Sequence, residues 1–361
     1  MLKVASKNSK KKVFVAMSGG VDSSVSAGLL EKVGYDVTGV FIKVWSPDWL
    51  PCDWREERRD AMRCAAVLQI PFLTFDLSKE YKRGVVDYMV REYKSGRVPN
   101  PDVMCNRNVK FGAFFKKAMS MGAEYVATGH YARVKKTGAK YELLEGVDKN
   151  KDQSYFLWTI GQKELSKTFF PVGGMEKGET RRIAEKLMLP TSQKKDSQGL
   201  CFLGKVDVKE FLKEFIKTKK GKVLDESGEV IGEHEGVELY SIGERHGFLI
   251  TKKSPKETPY YIVAKNLKKN TLTVSQNKLS GVSAKKEIKI GGVNWMSGVE
   301  PNFNKKYSAR VRYRQEKQGC RLKKIAGGIL VVFDEAQEAV ASGQSLVIYY
   351  GERCLGGGII S

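Results

Sequence analysis

A short segment near the N-terminus, VFVAMSGGVDSS at residues 13–24, constrains the fold of this chain most strongly. Its first five residues are apolar and predict a buried strand. Ser18, Gly19 and Gly20 then form a small polar turn that leads into a helix beginning near Asp22. Two glycines let the backbone approach a ligand closely, and the free N–H groups of a helix N-terminus favour an anion. The segment therefore predicts a strand, a turn and a phosphate-binding helix start.

This turn differs from a Walker A loop, because no Gly-Lys-Ser/Thr follows and no lysine stands where it would reach a terminal phosphate. That difference favours a pyrophosphate held by backbone N–H groups and hydroxyls. The residues SGGVDSS resemble the pyrophosphate loop (PP-loop) of the ATP pyrophosphatases, which split ATP into a bound adenylate and pyrophosphate. A serine-glycine turn before a helix also occurs in proteins that bind no nucleotide, but seven matching residues after an apolar strand favour the nucleotide.

Length, charge and cysteine usage narrow the class of protein. The chain of 361 residues has a formal net charge of +22, which favours a polyanionic partner, although a lysine-rich proteome would give the same excess. It has no run of about eighteen apolar residues, and the basic segment at residues 1–12 leads us to expect no secretory leader. Its six cysteines include no CxxC pair, which argues against a disulfide framework or a zinc knuckle. We therefore expect a cytoplasmic protein of two or three domains.

The order of predicted elements indicates the fold class. Strands and helices alternate over residues 13–76, which predicts an α/β fold with a doubly wound parallel sheet and a ligand crevice at the carboxyl ends of its strands. From about residue 207, short alternating runs separated by Gly, Asn and Ser predict β-structure. We expect a catalytic domain over residues 1–206, a small β-rich central module over 207–280 and a C-terminal β-barrel over 281–361.

Two cysteines have neighbourhoods that suggest chemistry. Cys105 follows a proline-rich entry at a predicted helix start, with Arg107 and Lys110 close by, which is the usual condition for a lowered thiol pKa. Cys201 lies between Gly199 and Gly204. Each is either a reactive thiol or a cysteine packed beneath a turn, and the spacing alone does not decide.

A basic segment marks the C-terminal third. Residues 305–324 contain nine basic side chains and one acidic side chain, Glu316, with Tyr307 and Tyr313 among them. Basic and aromatic side chains on strands suit a phosphate backbone and exposed bases, while the alternative is a solvated charged face.

Seven segments resemble, in this order and over nearly the whole length, those of the tRNA-specific 2-thiouridylases (the MnmA family): SGGVDSS, NPDVMCN, TGHYARV, KDQSYFLW, GLCFLG, ARVRYRQ and GERCLGGGII. The resemblance implies a HUP-like PP-loop domain and ATP-dependent thiolation of the wobble uridine of tRNA, with ATP and Mg²⁺ but no permanently bound cofactor. It assigns no protein side chain as a metal ligand. The implied partners are tRNAs for lysine, glutamate and glutamine, and a persulfide donor that is a cysteine desulfurase or a sulfur-relay protein.

The resemblance also assigns site residues. The residues implied to bind ATP are Ala16, Met17, Ser18, Gly19, Gly20, Val21, Asp22, Ser23, Ile42 and Gly129. The residues implied to contact the target base or the rest of the tRNA are Asn100, Pro101, Asp102, His130, Lys151, Asp152, Gln153, Arg312, Tyr313 and Gln344. Cys105 would be the catalytic nucleophile and Cys201 the persulfide carrier, and the two would form a transient disulfide. Asp102 is a candidate acid/base, although Asn-Pro-Asp is also an ordinary turn.

Some points stay open at the level of sequence. Sulfur reaches the uridine either as free sulfide released by Cys105 or by direct attack of the persulfide. Glu244 stands where the family pattern leads us to expect glutamine, which places a negative charge in a region expected to meet tRNA. The rival functions are a PP-loop synthetase that acts on a small molecule and a catalytically idle RNA-binding protein.

Overall fold

The computed structural model describes residues 10–49, 54–195, 207–252, 258–277, 284–338 and 340–361. Cys52 and Cys201 lie outside these residues, so the expected role of Cys201 has no structural counterpart here. Among the described residues, no helix is long and apolar enough to cross a membrane.

The described residues form strands and helices with the following bounds. The strands, in chain order, are β1 (Lys12–Ala16), β2 (Asp36–Lys43), β3 (Phe72–Asp76), β4 (Tyr125–Thr128), β5 (Ala132–Thr137), β6 (Lys140–Glu145), β7 (Thr168–Phe169), β8 (Gly221–Leu224), β9 (Val230–His234), β10 (Leu249–Ile250), β11 (Tyr261–Asn266), β12 (Thr271–Ser275), β13 (Lys285–Trp295), β14 (Tyr307–Arg310), β15 (Gln318–Ile325), β16 (Gly328–Gln337), β17 (Ser345–Tyr350) and β18 (Arg353–Ile360). The α-helices are α1 (Val21–Lys32), α2 (Trp54–Val67), α3 (Ser78–Tyr81), α4 (Asp87–Lys94), α5 (Pro101–Met104), α6 (Phe115–Ser120), α7 (Gln162–Leu165), α8 (Lys177–Lys186) and α9 (Val208–Lys213). The segments Lys82–Val86 and Cys105–Phe114 are π-helices, and 3₁₀ turns occupy Ser154–Leu157, Pro171–Gly174 and Val237–Leu239.

The N-terminal part is built on a parallel sheet with the strand order β3-β2-β1-β4-β7. Alternate residues of β1 enter different cores: Val13 and Val15 pack on one face, and Phe14 packs on the other. Helices cover both faces, which is why β1 is a continuous apolar run. The chain runs from β1 to β2 and β3 on one side and then crosses back to β4 on the other side of β1. The strand order therefore reverses between β1 and β4, which is the switch point where a ligand crevice opens. The predicted doubly wound sheet is confirmed.

The central module is a five-stranded sheet with the order β10-β9-β8-β12-β11. Its strands pair antiparallel except for β8 and β12, which run parallel. Helix α9 connects this module to the N-terminal part, because the ring of Phe211 lies 6.5 Å from that of Trp45 in a T-shaped arrangement.

The C-terminal barrel closes because β13 pairs with both β16 and β18. The closed circuit is β13-β16-β15-β14-β17-β18, and its interior is filled by side chains such as Val331, Phe333 and Leu346. The hairpin β5–β6, which belongs to the N-terminal part of the sequence, joins this sheet by pairing with β18. The predicted barrel is therefore confirmed, and one hairpin ties it to the parallel-sheet domain.

A buried charge network fixes the barrel against that domain. Arg310 on β14 forms an ion pair with Glu145 on β6, and its Nη2 atom lies 3.3 Å from a carboxylate oxygen of Asp152. Lys317 Nζ lies 2.9 Å from Glu145. All three partners of the central pairings, Arg310, Glu145 and Asp152, are buried. Removing one member would leave an uncompensated charge inside the protein.

We expect the substitution Arg310→Met to lower the free energy of unfolding by about 3–5 kcal/mol, since Glu145 and Asp152 would lose their buried cation. Urea denaturation followed by circular dichroism would measure this change. Arg321→Met, at an exposed position of β15, is the matched control and should change stability little. Equal stability of the two variants would contradict this account of the interface.

Candidate active site

The glycine turn joins β1 to α1 as the sequence predicts. Gly19 has φ +76°, and a Cβ at this position would lie 2.3 Å from the carbonyl oxygen of Glu57, so glycine is required here. The hydroxyl of Ser23 accepts a hydrogen bond from the N–H of Ser18 at 3.2 Å. A hydrogen bond between Ser18 and Ser23 therefore joins the turn to the first turn of α1.

The end of β4 lies directly against this helix start. A Cβ at Gly129 would lie 2.6 Å from the backbone nitrogen of Ser23, which explains the glycine by close backbone approach. Ile42 is half-buried near the carboxyl end of β2. Ala16, Ile42 and Gly129 thus lie along one edge of the sheet, as expected of residues that frame a nucleotide.

A lysine that our sequence analysis did not identify reaches this loop. Lys177 Nζ donates a hydrogen bond to Asp22 Oδ1 at 2.6 Å, and the side chain of Lys177 is only 13% exposed. The hydroxyl of Tyr131 donates to the same oxygen at 2.9 Å. Helix α8 begins at Lys177, whereas the sequence predicts its start near Thr180. No sequence signal marks Lys177, because 155 residues separate it from Asp22.

The segment containing Cys105 has a rigid entry. Asn100 caps α5, with its Oδ1 accepting from the N–H of Val103 at 3.2 Å, and Pro101 is the first helical residue. Cys105 is buried and begins the π-helix Cys105–Phe114, so it lies four residues beyond the helix start rather than at it. Short π-helices occur often at functional sites. Ten residues of π-helix here mark this segment as unusual.

Asp102 and His130 share the cation Lys110. Burial raises the pKa of Asp102, and the charge of Lys110 opposes that rise. Burial also lowers the pKa of His130 well below its usual value, so the imidazole is neutral at pH 7. His130 Nε2 lies 3.4 Å from Lys110 Nζ and Nδ1 lies 2.6 Å from Thr128 Oγ1. An ammonium only donates, so the proton of this imidazole is on Nδ1.

The segment 151–153 is connected to the glycine turn through Tyr131. Asp152 is buried and its Oδ1 accepts from the N–H groups of Gly146 and Ser154 at 3.0 and 3.1 Å. Gln153 Oε1 accepts from the N–H of Tyr131 at 3.0 Å, while Lys151 is half-buried. The observed contacts of Asp152 and Gln153 are therefore structural, and Gln153 holds the tyrosine that contacts the pyrophosphate loop.

The barrel contributes three of the residues implied to contact tRNA. Gln344 Nε2 donates to the carbonyl oxygens of Val98 and Pro99 at 2.9 and 3.1 Å, so it holds the entry to the Cys105 segment. The ring of Tyr313 lies 4.5 Å from that of Phe156. Arg312 is exposed beside it. These residues bring the barrel next to the segment that carries Asn100 and Asp102.

Glu244 does not present an isolated negative charge. Its side chain forms an ion pair with Lys209 and accepts from the N–H of Ser241 at 3.0 Å. The negative charge that Glu244 brings in place of the expected glutamine is thus balanced by Lys209 within the central module.

Three other cysteines behave as core residues. Cys64, Cys320 and Cys354 are buried, and burial raises the pKa of Cys320 and of Cys354 to about 12. A thiol with so high a pKa holds almost no thiolate at pH 7, so neither of these two is a reactive cysteine.

Comparison with known proteins accounts for nearly all of the chain. The model of the tRNA methyl transferase HUP domain matches residues 11–205, that of the tRNA methyl transferase PRC-barrel domain matches residues 209–276, and that of the aminomethyltransferase β-barrel domain matches residues 285–360. These three models agree with the predicted order of a parallel-sheet domain, a central module and a barrel.

Two curated relatives are similar over nearly their full length. The tRNA-specific 2-thiouridylase MnmA of Pseudomonas putida (strain W619) is 45% identical over 97% of this chain and 95% of its own. The tRNA-specific 2-thiouridylase MnmA 2 of Geobacillus kaustophilus (strain HTA426) is 45% identical over 97% of this chain and 94% of its own. A solved 4-thiouridine synthetase in complex with RNA and ATP is more distant, with 21% identity and a TM-score of 0.37 over 57% of this chain and 50% of that one. With the loop, the Cys105 segment and all three domains in agreement, the chain belongs to the family of the tRNA-specific 2-thiouridylases.

Proposed function

We propose that this protein is a cytoplasmic, ATP-dependent tRNA-uridine 2-sulfurtransferase. It adenylates the wobble uridine of tRNA and replaces the activated oxygen with sulfur, giving 2-thiouridine, AMP and pyrophosphate. The observation that supports this most is the glycine turn before α1, with Lys177 and Asp22 paired above it. Such a turn offers N–H groups and a cation to an anion, as pyrophosphate release requires.

In this proposal Ala16, Ile42 and Gly129 frame the adenine, and the loop residues from Met17 to Ser23 hold the phosphates. Lys177 stabilises the negative charge that develops on the departing pyrophosphate. Its ion pair with Asp22 keeps the ammonium at the loop before ATP arrives. Lys177 thereby supplies the positive charge that the sequence of the loop itself lacks.

The residues at the loop also suit Mg²⁺. The carboxylate of Asp22 is 31% exposed and offers the hard oxygen ligand that Mg²⁺ prefers. Among the described residues, no group of three or more His, Cys, Asp or Glu side chains could hold a metal ion by itself. Mg²⁺ is often bound by one or two carboxylates together with substrate phosphates, so Asp22 would hold it jointly with ATP. When bound, Mg²⁺ neutralises charge on the phosphates.

The target uridine would lie between the segments 100–102 and 151–153. Asp102 is half-buried with a raised pKa, which lets it hold or release a proton closer to neutral pH than an ordinary aspartate. Neutral His130 can position the base without adding charge. Gln344 holds the segment 100–102 in position through its two hydrogen bonds to the backbone of residues 98 and 99.

Sulfur would reach the base through two thiols. Cys201 accepts a sulfur atom as a persulfide from a cysteine desulfurase or a sulfur-relay protein. In one route the Cys105 thiolate attacks Cys201 Sγ, sulfide leaves and attacks the adenylated carbon, and AMP departs. In the other route the terminal persulfide sulfur attacks that carbon, AMP departs, and Cys105 then attacks Cys201 Sγ to release 2-thiouridine. Both routes end with a Cys105–Cys201 disulfide, which a dithiol reductant returns to two thiols.

ATP–pyrophosphate exchange with and without total tRNA distinguishes this function from its rivals. We expect exchange that depends on tRNA, together with 2-thiouridine in digested tRNA from lysine, glutamate and glutamine acceptors when a persulfide donor is added. Exchange without RNA would instead indicate a synthetase that acts on a small molecule. No exchange under either condition would indicate an idle RNA-binding protein.

Neutralising Arg312 and Arg314 together is expected to weaken tRNA binding and to flatten its salt dependence. Both side chains are exposed, and the Arg314 guanidinium lies 5.2 Å from the ring of Tyr313. Each lost phosphate contact should reduce the log–log slope by about one unit. Filter binding between 50 and 200 mM salt, roughly the range in which such slopes are read, measures this. Lys116→Gln, exposed on α6, is the control, and an unchanged slope in the arginine variant would move the tRNA surface elsewhere.

A further inference from the structure

A cavity of about 310 Å³ lies between the β5–β6 hairpin and the rim of the barrel, where the loop after β13 turns outward. We call it the barrel-rim cavity. Its lining is rich in two kinds of side chain: aromatic rings, which include Trp295, Tyr307 and Tyr350, and cations, which are Lys140, Lys305 and Arg353. Its volume lies at the lower end of the range of about 300–1,000 Å³ seen for small-ligand sites. The size fits a single flat group rather than a helix or a duplex.

Tyr350 is the ring that a ligand would meet first. It is 48% exposed at the end of β17, and the ring of Tyr307 meets it at 5.9 Å in a T-shaped arrangement. Lys305 Nζ lies 5.7 Å and Arg353 Cζ lies 5.8 Å from the centre of its ring. Tyr307 is itself fixed, because its hydroxyl donates to the carbonyl oxygen of Asn302 at 2.8 Å. An exposed tyrosine with two cations near its ring offers a stacking face beside positive charge.

The charges in the cavity favour an anionic ligand. Its carboxylates are already paired: Glu142 lies 2.5 Å from Arg353 Nη1, and Glu300 lies 2.9 Å from Lys324 Nζ. Lys140 and Lys305 have no carboxylate partner within the described part of the chain. The unmatched charge of the lining is therefore positive and lies next to the aromatic rings.

We propose that the barrel-rim cavity binds one unstacked nucleotide of the tRNA, with the base against Tyr350 and the phosphate held by Lys305 and Lys140. The inference rests on the proposed function, because it takes tRNA as the substrate. Bases splayed out of RNA are bound in this way, by stacking on aromatic rings and by contacts of cations with the backbone. Arg312 lies five positions after Tyr307, which is no more than about 17 Å of extended chain. One RNA molecule can therefore occupy this cavity and reach the Arg312 surface together.

The test compares the tRNA affinity of four single variants of the full chain. Tyr350→Ala should weaken binding of total tRNA by about tenfold, since it removes the stacking face, and Tyr350→Phe should bind as the wild type does. Lys305→Ala should weaken binding several-fold and lower the salt slope by about one unit. Lys306→Ala is the matched control, because Lys306 is exposed next to Lys305 and does not line the cavity. In thiolation assays Tyr350→Ala should raise the KM for tRNA and leave kcat unchanged, since none of the residues implied to bind ATP or the target base lines the cavity.

A second experiment, with uridine monophosphate, tests whether the ligand of the cavity is tRNA or a free nucleotide. Binding of this nucleotide to the cavity is measured as the change in tryptophan fluorescence that the variant Trp295→Phe loses, since the chain has five tryptophans and Trp295 lines the cavity. If uridine monophosphate binds but Tyr350→Ala leaves tRNA affinity unchanged, the ligand is a free nucleotide and the assignment to tRNA is overturned. If Tyr350→Ala and Lys305→Ala both bind tRNA with normal affinity and the wild type thiolates tRNA normally, the proposal that the cavity binds tRNA is overturned and the proposed function stands. Weaker tRNA binding in those variants of a protein that thiolates no tRNA overturns the proposed function and keeps the cavity.

Discussion

Replacing Cys105 with serine is expected to abolish formation of 2-thiouridine, by at least about a thousandfold, while AMP and pyrophosphate continue to form. The reason is chemical, because a serine hydroxyl can neither attack Cys201 Sγ to release the transferred sulfur nor close a disulfide with Cys201. The pyrophosphate loop, with Lys177 and Asp22, belongs to other elements and should keep its adenylation activity. Mass spectrometry of digested tRNA, together with an assay for pyrophosphate, measures both steps on one sample.

The two thiols should then differ in where sulfur accumulates. Cys105→Ser should still accept labelled sulfur onto Cys201 from a persulfide donor, whereas Cys201→Ser should accept little. Cys320→Ala is the control, because this buried thiol has a pKa of about 12 and should be dispensable for activity. Persulfide found chiefly on Cys105, or full activity in Cys201→Ser, would reverse or remove the roles assigned to the pair.

Three strands with a strong apolar pattern were predictable to the residue, whereas β1, predicted over residues 13–17, begins and ends one residue earlier. The sequence predicts strands over 36–43, 72–76 and 125–128, and β2, β3 and β4 have these bounds. Each is short, rich in β-branched or aromatic residues and ended by a polar or glycine residue, so local preference and burial agree. The two-residue edge strand β7 carries no such pattern and is found only because β4 offers it a partner.

Features that depend on distant contacts could not be read from the sequence. Closure of the barrel requires β13 to pair with β18, and the hairpin β5–β6 extends that sheet from the other domain. The helix predicted over 78–94 is interrupted by the π-helix Lys82–Val86, where Asn108 Nδ2 donates to the carbonyl oxygen of Gly84 at 2.9 Å. In each case a partner far along the chain overrides the local preference.

The candidate site also combines features that the local sequence predicts with features that depend on distant contacts. The glycine turn and the proline-rich entry to Cys105 are local, so their residue types alone indicated chemistry. Asp152 is different, since it stands beside Lys151 and Gln153 in the sequence but turns its carboxylate to buried Arg310. Adjacent residues in a motif can therefore serve different purposes: Gln153 holds Tyr131, while Asp152 helps to hold two domains together.

Lys177→Ala is expected to slow formation of AMP and pyrophosphate by about a hundredfold to a thousandfold, the usual cost of removing one group that stabilises charge in a transition state. Binding of tRNA should stay nearly unchanged, because Lys177 pairs with Asp22 at the glycine turn and is not among the residues implied to contact tRNA. Lys177→Arg should keep part of the wild-type rate, since a guanidinium retains the positive charge but has a different shape from an ammonium. Lys186→Ala, exposed on the same helix, is the matched control.

Asp22→Ala separates two roles of this ion pair. If Asp22 only holds Lys177 in place, the loss should be modest and should be regained at high ATP concentration, because the phosphates then position the ammonium themselves. If Asp22 also holds Mg²⁺, adenylation should be abolished at any ATP concentration and should respond to the Mg²⁺ concentration. We expect the second result, because the carboxylate is the acidic side chain of the loop and is partly exposed. A Lys177→Ala or Asp22→Ala protein that formed AMP at the wild-type rate would show that pyrophosphate leaves from another place, and the glycine turn would then be a structural feature only.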